Sequence, residues 1–108
     1  MIPEAYKDFL NKIIDKTNSG DVKWESDIDK SLFLRTKSAT IEVGHYSDDD
    51  AELSFYYFQF YNIATKKEAI FRVNHHEDEY KEMEKLYAVA TASATNIKDE
   101  LSNFLDEL

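Results

Sequence analysis

Three histidines, 22 carboxylates and no cysteine define the chemistry open to this chain. A helix that began at His75 would place Glu79 one turn on, where the two could share a metal with His45 nearby. The spacing specifies no three- or four-ligand geometry. Solvated cap residues beside carboxylates are therefore the expected role for His45, His75 and His76. Asp48, Asp49, Asp50 and Glu52 crowd a second stretch. Calcium takes six to eight oxygens at ordered spacing, and no glycine-bearing twelve-residue loop occurs here, so that run reads as a turn. Gly20 and Gly44 stand outside any Gly-x-Ser-x-Gly or phosphate-cradling context. The lack of cysteine removes thiol nucleophiles, thiolate zinc sites and iron–sulfur clusters. These residues point away from an enzyme, and no metal or cofactor is expected.

A more informative run is Leu53-Ser54-Phe55-Tyr56-Tyr57-Phe58-Gln59-Phe60-Tyr61. Strand side chains alternate between faces. Leu53, Phe55, Tyr57 and Tyr61 fall on one face; Tyr56, Phe58 and Phe60 fall on the other. Both are apolar, which does not suit a sheet with one side in water. The neighbouring strands do alternate. Arg35, Lys37, Glu42 and Arg72 fall opposite the core candidates Leu34, Ile41, Val43 and Phe71. The expected arrangement turns Phe55 inward and leaves Tyr56, Phe58 and Phe60 on a face lined with charge. Each ring can bury about 150–250 Å². Three together rival the largest patch of a typical monomer, roughly 300–600 Å². Three covers are open: the chain's own helices, the stems of Arg35 and Arg72 lying over the rings, or a partner. A β-bulge near Gln59 would exchange the faces at one end.

The elements that position these residues follow from periodicity. Ile2, Tyr6, Phe9, Leu10, Ile13 and Ile14 form one apolar stripe at helical spacing, so a helix is predicted from Pro3 to Lys16, stopped by Thr17-Asn18-Ser19-Gly20. Val22 and Trp24 alternate with Lys23 and Glu25 as a short extended piece. Strands are predicted at Leu32–Lys37, Thr40–Tyr46, Leu53–Tyr61 and Ala69–Asn74. Their short connections favour an antiparallel meander, because parallel pairing needs longer crossovers. Tyr80, Met83, Leu86, Tyr87 and Ala90 then define a helix with Glu77, Asp78 and Glu79 in its first turn. After Thr95-Asn96, the residues Ile97, Leu101, Phe104, Leu105 and Leu108 define a last one. The fold class is α+β over residues 1–108 as one domain: N-terminal helix, four-stranded meander with a possible fifth strand, two C-terminal helices. The expected core is Phe9, Leu10, Ile13, Trp24, Leu34, Ile41, Val43, Phe55, Phe71, Leu86, Leu101 and Leu105.

The pattern Thr17-x-x-Gly20-x-Val22-x-Trp24 after an amphipathic helix, with Leu86-Tyr87-x-x-Ala90 in a late helix, resembles a diffuse group of small bacterial and phage proteins. The resemblance implies this helix–sheet–helix layout. It implies no activity, because the shared residues are a helix stop, a core tryptophan and a packing face.

The formal net charge of -9 sets the partners. Residues 74–108 hold 9 acidic and 3 basic residues. Such a charge repels polyanions, so nucleic acid is disfavoured despite the aromatic strand. A basic protein, or a second copy of the chain, is the expected partner. No apolar run reaches the roughly 18 residues of a membrane span, and the first residues lack the basic head and apolar stretch of a signal peptide. A cytoplasmic setting is expected. Taken together these features describe a small acidic, non-enzymatic protein-binding module. Tyr56, Phe58 and Phe60 would be its anchors, and Asp48, Asp49, Asp50, Glu77, Asp78 and Glu79 its steering charges. The alternatives are a small-molecule site lined by Tyr57, Tyr61, Tyr87 and His75, and self-association.

Overall fold

The structure, a computed structural model, describes all 108 residues. In chain order the elements are α1 (Glu4–Asn18), β1 (Glu25–Ser26), β2 (Leu32–Arg35), β3 (Ala39–Asp48), β4 (Leu53–Asn62), β5 (Glu68–Asn74), α2 (Tyr80–Thr95) and α3 (Ile97–Glu107). The strands form one antiparallel sheet in the order β1-β2-β3-β4-β5. This is the α+β meander expected from the sequence.

In α1 the apolar stripe buries Leu10, Ile13, Ile14 and Thr17. Pro3 sits just before the first turn, and its carbonyl accepts the Tyr6 N–H at 2.9 Å. Beyond the helix, Gly20 takes φ +83°, a left-handed conformation that costs glycine nothing. The first strand begins later than Val22–Trp24. The Trp24 N–H donates to Ser93 Oγ on α2 at 3.0 Å, so the backbone there is committed to a helix. Pairing starts only at Glu25, opposite Phe33.

Both α1 and α2 lie on one side of the sheet. Between helices and sheet is a core of 15 buried residues, including Ile2, Leu10, Trp24, Val43, Phe58, Val73, Met83 and Leu86. Trp24 is fully enclosed. Its Nε1–H donates to Thr17 Oγ1 at 3.0 Å, and the Thr17 hydroxyl in turn donates to the Ile13 carbonyl at 2.7 Å. The sole tryptophan is thus bound to α1 through its ring and to α2 through its backbone. A buried polar group costs stability unless it is hydrogen-bonded, and the Trp24 indole, the Trp24 amide and the Thr17 hydroxyl each have a partner.

Four of the expected core residues lie elsewhere. Leu101 and Leu105 on α3 are 59% and 67% exposed, and no residue of α3 is buried. Phe9 is partly exposed at the side of α1, and Phe55 lies on the opposite face of the sheet. Asn96 explains α3. It joins the helices in a left-handed conformation (φ 54°), which asparagine tolerates, and the chain turns away from the sheet. The radius of gyration is 15.1 Å, against about 13 Å for a compact chain of this length. No helix is long and apolar enough to cross a membrane.

Thr17→Val keeps the side-chain shape and leaves the indole Nε1–H of Trp24 without an acceptor. An orphaned buried donor costs about 1–3 kcal/mol. Urea unfolding followed by Trp24 fluorescence is expected to show that loss. An unchanged midpoint would mean that the indole does not depend on Thr17.

Candidate functional site

The turn between β3 and β4 decides which aromatics face inward. Asp48 pairs with Leu53, leaving Asp49 to Glu52 as the connection. That length sets odd-numbered residues of β3 against even-numbered residues of β4: Ile41 opposite Phe60, Val43 opposite Phe58, His45 opposite Tyr56. Directly paired residues share a face. The face that carries Ile41 and Val43 to the helices therefore carries Tyr56, Phe58 and Phe60 as well.

This corrects the expected anchors. Tyr56 is 7% exposed and Phe58 2%, and Phe60 is half-buried on the same side. The Phe58 ring stacks on Phe71 at 4.9 Å and meets the edge of Phe9 on α1 at 6.3 Å. Tyr56 packs against Tyr80 and Tyr87 of α2 at 4.9 and 5.4 Å. They are core. The expectation placed them outside because alternation gives the two faces but not their sense, and a one-residue shift exchanges them.

The other face has no helix on it. It presents Phe33 from β2, Tyr46 from β3, Phe55, Tyr57 and Tyr61 from β4, and Ile70 from β5. Tyr46, Tyr61 and Ile70 are exposed, Ile70 by 62%. Tyr46 and Phe55 are cross-strand partners with stacked rings 5.2 Å apart. The guanidinium of Arg72 lies 5.0 Å from the Phe55 centroid, and that of Arg35 lies 5.0 Å from the Phe33 centroid. The expected arginine cover thus falls on other rings, Phe33 and Phe55, and not on Tyr56, Phe58 and Phe60, which face the helices. Such contacts contribute about 0.5–1 kcal/mol at exposed sites. Arg35 also pairs with Glu25 at 3.2 Å.

Tyr57 occupies the middle of this face, directly over Gly44. A Cβ at Gly44 would fall 2.2 Å from Cζ of Tyr57, so only glycine admits the ring. The Tyr57 hydroxyl donates to Glu42 Oε2 at 2.7 Å and lies 3.0 Å from Ser31 Oγ. Burial pushes the Tyr57 phenol above its ordinary value; the Ser31 hydrogen bond opposes this and Glu42 reinforces it. The phenol stays protonated at neutral pH. It can donate a hydrogen bond but holds no readily ionised oxygen for attack. Carboxylates surround the rings, with Glu42 and Glu25 toward β1 and Glu68 opposite Tyr61.

The acidic residues divide into free and occupied ones. Asp48 builds the hairpin turn, its Oδ1 accepting the N–H groups of Asp50 and Ala51 at 3.1 and 3.3 Å. Asp49 and Asp50 stand exposed at the tip, and Asp78 is exposed before α2. Glu77 and Glu79 are not free to steer anything. Glu77 Oε2 accepts the Asn74 N–H at 2.7 Å and that of the N-terminal ammonium at 3.1 Å. Those bonds, the backbone one first, hold its carboxyl below the ordinary value. Glu79 Oε1 accepts the Ile2 N–H at 3.1 Å, and its Oε2 lies 3.4 Å from the Lys7 ammonium. Both carboxylates tether the N-terminal segment to the start of α2.

The other candidate groupings are not assembled. The sheet separates Tyr57 and Tyr61 from Tyr87, so the small-molecule pocket they were to line with His75 does not form. No three His, Asp or Glu side chains converge as metal ligands. One cluster escaped the sequence reading. His45 Nε2 lies 3.0 Å from both Ser54 Oγ and Tyr80 Oη, and its ring is 4.5 Å from Tyr56. Tyr80 and Tyr87 stand seven residues apart on one side of α2, the available signal that they meet a common strand. Burial, then the neighbouring Tyr80 and Glu84, pushes the Tyr56 phenol up to about 12.

No protein-family model matches the chain, and neither a curated protein nor a solved structure is significantly similar to it.

Tyr56 ionises at an ordinary 10.0 when the chain is unfolded and at about 12 when folded. Above pH 10 the unfolded state releases this proton first, so the slope of stability with pH is negative. Its contribution is intact below pH 10 and is lost between pH 10 and about 12. Urea midpoints across that range are expected to fall less steeply for Tyr56→Phe than for the parent. Equal slopes would place Tyr56 in water.

Proposed function

We propose that this protein is a non-enzymatic binding module of a bacterium or phage, of the immunity or anti-defence inhibitor type, acting in the cytoplasm. It occludes a basic protein partner with the open face of its sheet. The observation that carries this reading is the uncovered row Phe33, Tyr46, Phe55, Tyr57, Tyr61 and Ile70, set among carboxylates. Rings supply large contact area at small entropic cost, and aromatic residues dominate the energetics of interfaces. Their own arginines hold two of them in place before any partner arrives. A face organised in advance loses less freedom on binding.

Charge selects the class of partner. The molecule carries -9, and on this face Glu25, Glu42 and Glu68 stand against Arg35 and Arg72. That balance repels a phosphate backbone and attracts a basic protein. Five strands about 4.8 Å apart span roughly 20 Å, and the seven residues of β5, rising about 3.3 Å each, span roughly 23 Å, so even a full rectangle of that size falls below about 500 Å². A stable interface buries about 800 Å² per partner. The partner therefore extends past the sheet, and the hairpin tip with Asp49 and Asp50 lies beyond the Tyr46–Phe55 pair, where it would meet that extension. These exposed acids raise the encounter rate, while the rings slow dissociation.

Affinity capture from the encoding organism, with proteins identified by mass spectrometry, tests the reading. The parent is expected to retain one basic protein, released by raising salt. Tyr46→Ala combined with Ile70→Ala, both exposed, is expected to weaken that complex at least about tenfold, as for anchor truncation, with folding of the variant checked by circular dichroism because Tyr46 also stacks on Phe55. Phe58→Ala should instead lower stability. Retention unaffected by the Tyr46 and Ile70 changes would remove the open face from the interaction.

A further inference from the structure

The last helix leaves an apolar stripe with nothing against it. Ile97, Leu101, Phe104, Leu105 and Leu108 fall within one side of α3, and Leu101, Phe104 and Leu105 are 59%, 60% and 67% exposed. Five such side chains present on the order of 500 Å², comparable to the largest patch on a typical monomer. At 100° per residue, Glu100 and Glu107 border this stripe along one side and Lys98 borders it along the other.

A matching groove lies on the covered side of the sheet. Between α1 and the ends of β2, β3 and β4 there is a depression of ≈ 580 Å³ floored by Phe9, Ile13, Leu34, Ile41 and Phe60. Its rim carries the cations Lys16 and Lys23 and one carboxylate, Asp21; Arg35 also borders it, but its guanidinium lies over Phe33 on the open face. Groove and helix therefore complement each other twice: apolar floor to apolar stripe, and a mostly cationic rim to a mostly anionic border. Asn96 directs α3 outward, and its side chain is held by the Lys23 ammonium. The helix so held is presented to another molecule instead of to its own groove.

We propose that α3 of one chain docks, stripe inward, into the α1–sheet groove of a second copy, and that the exchange is reciprocal. Such a dimer is isologous and closes on itself. It contains two helix-in-groove contacts. With two stripes of on the order of 500 Å² meeting two grooves, the buried area comes to the lower end of the roughly 1,200–2,000 Å² of stable interfaces. The open face of the sheet takes no part, so this dimer and the partner complex proposed above stand or fall separately.

Charge reversal on the exposed borders tests it without disturbing the core. Sedimentation velocity of the parent is expected to show a concentration-dependent dimer. Glu100→Lys with Glu107→Lys makes one variant, and Lys16→Glu, which leaves the Lys23–Asn96 contact in place, makes another. Each alone is expected to dimerise at least about tenfold more weakly, since like charges then face each other. Mixed in equal amounts, they are expected to form a heterodimer, because opposite charges meet at both contacts. Retained far-UV circular dichroism confirms that each variant folds. A parent that stays monomeric at the highest attainable concentration would overturn the proposal. So would a dimer indifferent to these changes, or variants whose mixture fails to associate. Docking of α3 into its own groove would appear as a monomer whose α3 stripe is protected, and that outcome also overturns it.

Discussion

A five-stranded sheet has two faces, and this chain applies its helices to one. α1 and α2 both pack on the side carrying Ile41, Val43, Tyr56, Phe58, Phe71 and Val73. Trp24 joins the two helices through its ring on Thr17 and its backbone on Ser93. Almost everything else about the molecule follows from that one-sided cover. The uncovered face must be tolerable in water and still hold its rings in order. Arg35 and Arg72 lie over Phe33 and Phe55, and Tyr57 is fixed over Gly44 by Glu42 and Ser31.

Much of this arrangement is legible from residue spacing. The helical stripe of α1, the strands β2 to β5, their antiparallel order and the two terminal helices all follow from periodicity and short turns. The face that Arg35 and Arg72 occupy is legible too, since they alternate with Leu34 and Phe71, but the rings they cover are Phe33 and Phe55 and not the expected Tyr56, Phe58 and Phe60. What spacing does not carry is the sense of β4. Its two faces are nearly equal in apolar content, so pattern alone cannot tell Phe55 from Phe58. The span from Asp49 to Glu52 decides it, and a connection one residue shorter would have turned the other set inward.

Two further differences have the same origin. Leu101 and Leu105 repeat like core residues, yet periodicity says only that a helix has an apolar side. What that side meets depends on the joint at Asn96. Glu77 and Glu79 read as surface acids beside a helix start. They bind backbone N–H groups of Asn74 and Ile2, contacts that bridge distant parts of the chain in the case of Ile2. Local sequence carries little of such long-range pairing. The histidine–tyrosine cluster around His45 is of this kind as well, since it joins β3, β4 and α2.

One-sided cover is the claim on which the proposed partner binding rests, and hydroxyl-radical footprinting of the protein at low concentration tests it most directly. The rate of ring oxidation follows exposure to water. The account predicts rapid labelling of Tyr46 and Tyr61, with Tyr56 and Phe58 protected until the protein unfolds. Protection of Tyr46 and Tyr61 to the same degree as Phe58 would contradict it, because something in the chain itself would then cover both faces.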